Sequence, residues 1–352
     1  MAAAGSQALS KDALLGDLLA RVSRSFVLTL HVLPGSLRDP IGMAYLFARA
    51  ADTIADTDLI ERPLRLRYLN EFRTQFLTDR PDWAAIGALR EAVAPHQRDS
   101  SERELLEQLE ACFRCYLAFP DGDRGRIRKL MGTLTNGMEM DLTAFPSDRA
   151  ADVRALRTMA DLDRYTYYVA GCVGEFWTEM ACAHRPALAY WDVAHMAAQG
   201  VRFGKGLQIT NILKDLPHDL QRGRCYLPLE LLEPYGLTPH DLQNPANVAA
   251  CRPVLSRLLR MAVDHLDQGW LYTLAIPRGE LRLRLACMWP ILFAGATLRR
   301  VASSPDWLNP RVTLKMPKRE VYGIMGVTLL TAGCGYVGTA LWGRLRKQVG
   351  AW

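Results

Sequence analysis

Tyr45-Leu-Phe-Ala-Arg49-Ala-Ala-Asp52-Thr-Ile-Ala-Asp56 is the stretch on which both the fold and the chemistry turn. At about 100° per residue, a helix collects Tyr45, Arg49, Asp52 and Asp56 within an arc of about 60°. Apolar Met43, Leu46, Phe47 and Ile54 flank that stripe, so the helix belongs against a core and not in bulk water. Carboxylates in such a setting need cations. A second stretch, Gln208-Ile-Thr-Asn211-Ile-Leu-Lys214-Asp215-Leu-Pro-His-Asp219, repeats the arrangement. Its Gln208, Asn211, Asp215 and Asp219 fall within about 80° on the same construction, and Gly200 and Gly204 extend the stripe backward. Pro217 removes one amide donor and predicts a kink or loop at Asp219.

Outward from these stretches, residues 12 to about 303 are rich in Ala, Leu, Arg and Glu, with apolar residues three and four apart and few alternating β-branched runs. An all-α core follows. Breaks at Pro34-Gly35, Arg62-Pro63, Asp79 to Pro81, Pro120 to Gly125, Phe145-Pro146, Arg185-Pro186, Glu233 to Pro245 and Ser304-Pro305 divide it into roughly nine or ten helices. No low-complexity linker or fixed-period repeat separates the chain into halves, so a single helical domain over residues 12–319 is expected.

The 352 residues are 49% hydrophobic and 23% charged, which excludes disordered, collagenous, disulfide-scaffold and multi-span membrane classes. The net charge of +6 fits anionic ligands or an anionic membrane face, and is too small and dispersed for nucleic acid. Eight cysteines, only Cys112 and Cys115 close together, form no zinc pattern and fit a reducing cytoplasm. Cys112 and Cys115 read as core, and His31, His195 and His265 have no companions at ligand spacing. The first eleven residues lack the pattern of a secretory signal. Val321 to Trp342 is 22 residues without a charge, about 33 Å as a helix, between Lys315, Lys318 and Arg319 on one side and Arg344, Arg346 and Lys347 on the other. It is expected to span a membrane or to pack as a buried or interfacial helix, with Tyr322 and Trp342 as interfacial anchors.

Two carboxylate pairs, each at i and i+4, suit Mg²⁺, a hard ion that favours carboxylate, phosphate and water oxygens. A diphosphate is the matching ligand. Metal ions there would neutralise charge on a departing diphosphate, so that an allylic C–O bond could ionise inside an apolar pocket. Arg49, Lys214, Arg222 and Arg224 stand ready for the same anion. Either DxxxD alone is more often a solvated helix face; two stripes with amide or arginine partners reverse the odds.

With Val22-Ser-Arg-Ser-Phe26, Asp163-Arg-Tyr165-Thr-Tyr-Tyr168-Val-Ala-Gly171 and Arg222-Gly-Arg-Cys-Tyr-Leu-Pro228 added in order, the chain resembles the squalene and phytoene synthase family of head-to-head prenyl transferases. The resemblance implies an all-α isoprenoid synthase fold, a single bundle around a central cavity, with Mg²⁺ dependence and condensation of two prenyl diphosphates, farnesyl diphosphate foremost. It implies Asp52, Asp56, Asp215 and Asp219 as metal positions and Tyr165 as the catalytic tyrosine. It further implies that Ser23, Arg24, Ser25, Phe26, Tyr45, Arg49, Tyr168, Gln208, Asn211, Lys214, Arg222 and Arg224 contact diphosphate, substrate or cofactor. The family's basic flap is echoed by Lys315-Met-Pro-Lys318, where Pro317 replaces an arginine, so the NADPH-dependent step is less firmly carried than condensation. Ala55 stands where many relatives have a third acid, and Lys214 where they have an arginine, which loses the bidentate fork. The basic flap and apolar tail favour the reductive, squalene-forming branch with a membrane-anchored catalytic domain in the cytoplasm. The Gly-Arg-Cys-Tyr-Leu-Pro run looks more like the carotenoid and hopanoid branches, so phytoene or dehydrosqualene formation without reductant is the alternative.

Overall fold

A computed structural model describes residues 9–23, 27–331 and 336–350. Arg24, Ser25 and Phe26 lie outside the described residues. The chain is all-α as expected; the strands among the described residues are Arg154–Ala155 and Arg224–Cys225, paired in parallel with Arg154 opposite Arg224. Two compact units form, one from Met1–Leu142 with Glu179–His184, the other from Thr143–Thr178 with Arg185–Trp352.

In the first unit the helix Gly35–Asp56 runs unbroken through Pro40 and buries Leu46, Phe47 and Ile54. Phe47 anchors an aromatic cluster with Phe72, Phe76, Phe113 and Tyr116, meeting Phe113 at 4.8 Å and Phe76 edge-on at 4.9 Å. Such pairs add about 0.5–1.5 kcal/mol each beyond area burial. Tyr45 and Arg49 stand two residues either side of Phe47, about 200° away around the helix, so the polar stripe is turned from this cluster. Cys112 is fully buried, and desolvation pushes its thiol up to about 12, as a core cysteine should be. Asp123, also buried, meets both His184 at 2.9 Å and Arg126 at 3.1 Å.

In the second unit the helix Val193–Gln221 packs backbone-close on its neighbours. A Cβ on Gly174 would stand 1.9 Å from the Gly200 carbonyl oxygen, and one on Gly204 would stand 2.2 Å from that of Ala170. Only glycine permits that approach. Helices Val248–Ala275 and Leu281–Ser303 complete the core. The charge-free stretch 321–342 is divided between Lys318–Thr331 and Tyr336–Gly350, with 332–335 outside the described residues. Trp289 donates its indole N–H to Thr328 Oγ1 at 2.9 Å, and Trp342 donates to Asp267 at 2.9 Å while its ring stacks on Trp270. Among the described residues one helix is long and apolar enough to cross a membrane, Leu281–Ser303, and 72% of its apolar window is buried.

Candidate active site

Half of the expected site belongs to the first unit. Arg49, its side chain only 18% exposed, donates to Asp52 Oδ2 at 2.8 Å and to the Tyr45 hydroxyl at 3.3 Å. Glu102, on the helix Ser100–Glu107, stands 4.0 Å from the same guanidinium. Burial works against the charged form, but Asp52, Tyr45 and Glu102 outweigh it and raise the Arg49 pKa. Asp56 closes the stripe one turn further on and is exposed. Buried Ser23 Oγ and Arg49 Nε have no hydrogen-bond partner among the described residues. The orphaned Arg49 Nε, on a guanidinium that already meets Asp52, suits a metal-bound anion that takes the bond it lacks.

The other half belongs to the second unit. Here the structure corrects the expectation for Pro217: the helix continues through it to Gln221, so Asp219 is helical. The missing amide of Pro217 frees the carbonyl of Leu213, four residues back. Trp307, fully buried, donates its indole N–H to that carbonyl at 2.8 Å. The bond that proline deletes is replaced from another part of the chain, and the helix continues. Gln208, Asn211, Asp215 and Asp219 therefore share one face, and Lys214 bridges two of them, 3.1 Å from Asp215 and 3.3 Å from the Asn211 amide oxygen.

Tyr165 is buried on the helix Met159–Thr166 and stacks on Tyr226 at 4.6 Å and 21°. Tyr168 is half-buried in the π-turn Tyr167–Gly171, a local widening frequent at functional sites. Tyr167 donates to Glu175 at 3.2 Å, and Lys205 pairs with Asp163 at 2.6 Å. Arg224 is buried in the short parallel ladder, 3.5 Å from Asp148, whereas Arg222 is exposed at the helix end. Lys315 and Lys318 are exposed, and nearby Glu320 ties the start of Lys318–Thr331 to Arg299 at 2.7 Å and Arg300 at 2.5 Å.

Among the described residues no three His, Cys, Asp or Glu side chains form a cluster for one metal ion. Each stripe instead supplies a carboxylate pair. That donor set fits Mg²⁺, which keeps waters and is commonly held by one or two carboxylates plus substrate phosphates. Sequence reasoning missed Glu102 and Trp307. Glu102 sits in a helix of mixed charges with no motif, and only the rule that proline orphans the carbonyl four residues back announces a need for Trp307.

A polar stripe of paired aspartates on each of two helices, within an all-α chain, is the pattern of the isoprenoid synthase fold. The chain matches the Squalene/phytoene synthase family over residues 19–320 and belongs to it. A squalene synthase of Cyberlindnera jadinii is 28% identical over 302 residues, 85% of this chain and 63% of that protein. A bifunctional lycopene cyclase/phytoene synthase of Colletotrichum graminicola is 30% identical over 71% of this chain and 40% of its own. The solved structure of TcSQS with the ligand BPH1237 superposes with a TM-score of 0.74 at 23% identity, covering 97% of this chain and 98% of that one. The alignments to curated squalene synthases span a little under two thirds of those proteins' length.

Proposed function

We propose that this prenyltransferase joins two farnesyl diphosphates head-to-head into presqualene diphosphate, then reduces that intermediate to squalene with NADPH. The observation that carries the reading is the pair of polar helix faces, each with two aspartates one turn apart and a cation, Arg49 or Lys214, against the first of them. The reaction consumes two diphosphates, and each face has the donors for one magnesium-bound diphosphate. Asp52 and Asp56 would hold metal on one face, Asp215 and Asp219 on the other. Bound Mg²⁺ supplies Lewis-acid stabilisation of the leaving diphosphate.

The protein's own groups do the rest. Arg49, already poised by Asp52 and Tyr45, would rotate its free Nε toward phosphate oxygen, and Ser23 Oγ would donate alongside it. Tyr45, Gln208, Asn211 and Arg222 line the same faces as substrate contacts. Closing the cyclopropane releases one proton; Tyr165 is the resemblance's candidate to take or relay it, and Tyr168 is the neighbouring phenol with solvent access. The ring stacked on Tyr226 gives Tyr165 a fixed π face for cationic carbon. Arg224 acts as a buried support for the strand that follows Asp219. Lys315 and Lys318 are exposed cations that suit the 2′-phosphate of NADPH, which when bound supplies the hydride. The apolar product fits an enzyme that works from the cytoplasm at a membrane, with the C-terminal helices as its contact.

The test incubates purified protein with Mg²⁺ and farnesyl diphosphate, with and without NADPH, and identifies products by mass spectrometry. Squalene formed only with NADPH supports the proposal. A C30 triene formed without reductant, or preference for geranylgeranyl diphosphate, moves the chain to the dehydrosqualene or phytoene branch, which the likeness to a phytoene synthase keeps open.

A further inference from the structure

The helix Leu281–Ser303 begins in an unusual electrostatic setting. Its N-cap residue, Glu280, makes no side-chain cap, because both carboxylate oxygens are held by Arg185 at 3.0 and 2.7 Å. The first amides therefore point outward without the acid that usually answers them. Arg284, in the first turn, is only 3% exposed, yet among the described residues its Nε has no hydrogen-bond partner and its guanidinium no ion pair. Desolvation, and after it the charge of exposed Arg278, lower its pKa. Segments 185–196, 271–288, 327–331 and 336–340 together carry four arginines and two acids, one of the acids being the already paired Glu280.

The surroundings are apolar. Glu320 meets Arg299 and Arg300 and Thr328 meets Trp289, so Lys318–Thr331 runs antiparallel to Leu281–Ser303. Gly338 lies against Met288 and Trp270, and Gln348 reaches Arg299, so Tyr336–Gly350 runs back parallel to it. The end of the first helix and the start of the second therefore lie at the N-terminal end of Leu281–Ser303, within about 10 Å along its axis by the helical rise. Leu330 is 89% and Tyr336 80% exposed there, joined by Leu281 and by Leu271 and Leu274 from the end of Val248–Ala275. Tyr190, 69% exposed, reaches the same end by donating to the Ala275 carbonyl.

We propose that this end of the second unit docks on an anionic phospholipid surface. A lipid phosphate sits at the start of Leu281–Ser303 between Arg278 and Arg284, and Leu274, Leu281, Leu330 and Tyr336 enter the interface around it. The buried unpaired arginine and the excess of cations argue for lipid over a second copy of the chain, which would bring like charge against like. This deepens the reading of a membrane-facing enzyme, replacing a spanning anchor by a face assembled from several helices, and it is tested without turnover.

The experiment is flotation of the full chain with phosphatidylcholine vesicles and with vesicles also containing phosphatidylserine. Wild-type protein floats with the anionic vesicles, stays at the bottom with neutral ones, and is released by alkaline carbonate. Arg278→Gln and Arg284→Met each weaken binding about fivefold, the loss expected for one basic residue near such a surface. Leu274→Glu with Leu330→Glu abolishes flotation while squalene synthesis in detergent is retained. Because Arg284→Met risks misfolding, its melting temperature is read beside Arg278→Gln, which is exposed. Equal flotation on neutral vesicles, resistance to carbonate, variants indistinguishable from wild type, or a dimer dispersed by the Leu274 and Leu330 changes overturns the proposal. Loss of synthesis with flotation intact counts against the catalytic reading instead.

Discussion

Replacing Trp307 by Phe keeps a ring in the core but removes the indole donor to the Leu213 carbonyl that Pro217 leaves without its helical partner. Two costs follow. The smaller ring leaves a void, and a buried carbonyl is orphaned at about 1–3 kcal/mol. Only the second depends on proline. In Pro217→Ala the backbone N–H returns, and the carbonyl recovers a helical partner whether or not the indole is present. The double-mutant cycle therefore isolates the bond: Trp307→Phe destabilises the natural chain by about 1–2 kcal/mol more than it destabilises Pro217→Ala. Chemical denaturation of the four proteins reads this directly. The helix bends where the carbonyl turns toward water, and Asp219 shifts relative to Asp215, about 6 Å earlier along the axis. Half-saturation by Mg²⁺ should accordingly rise in Trp307→Phe and return toward normal in the double variant. Equal destabilisation in both backgrounds, with unchanged magnesium dependence, would show that the indole merely fills space.

Four further outcomes are expected. Asp52→Asn and Asp215→Asn each lower kcat/KM for farnesyl diphosphate about 10²–10³-fold with the melting temperature held, because several kcal/mol of leaving-group stabilisation depend on metal coordination; wild-type turnover in either would remove that stripe from catalysis. Tyr165→Phe should slow presqualene diphosphate formation while Tyr168→Phe leaves it intact if the buried phenol handles the proton, and the reverse order in single-turnover experiments reassigns the role to Tyr168. Gly204→Ala drives a Cβ to within 2.2 Å of the Ala170 carbonyl oxygen, so it destabilises by about 1–3 kcal/mol or prevents folding, whereas Gly279→Ala, with open space around it, does neither. His265 accepts a 2.6 Å hydrogen bond from Arg202 Nε at Nδ1, and desolvation with the charges of Arg202 and Lys205 lowers its pKa to about 4. The unfolded chain takes up that proton first as pH falls, so stability present above about 6.5 is lost on descent toward 4, by at most about 3 kcal/mol, and His265→Gln flattens that slope in a series of pH-dependent melts.

The helical stripes were legible because burial and chemistry share a period: Phe47 and Arg49 differ by two residues and so by most of a half-turn, which any sequence reader can compute. Tertiary replacement was not legible. Pro217 carries a correct local warning, a lost amide and a freed carbonyl, and the warning fails only because Trp307, ninety residues on, supplies the donor. Glu102 escaped for the same reason, since its proximity to Arg49 arises from packing between two helices with no shared motif. The terminal stretch differs again. Its 22 uncharged residues have the length of a span, and in the structure Thr328 and Trp342 each hydrogen-bond to partners on core helices. Composition measures how much apolar surface a segment offers, not which surface answers it. The helix that does meet the length and hydropathy test among the described residues, Leu281–Ser303, is mostly buried, and its first turn holds Arg284, whose Nε has no hydrogen-bond partner among them. Wherever an answering group comes from distant sequence, local rules identify the need and only the fold identifies the partner.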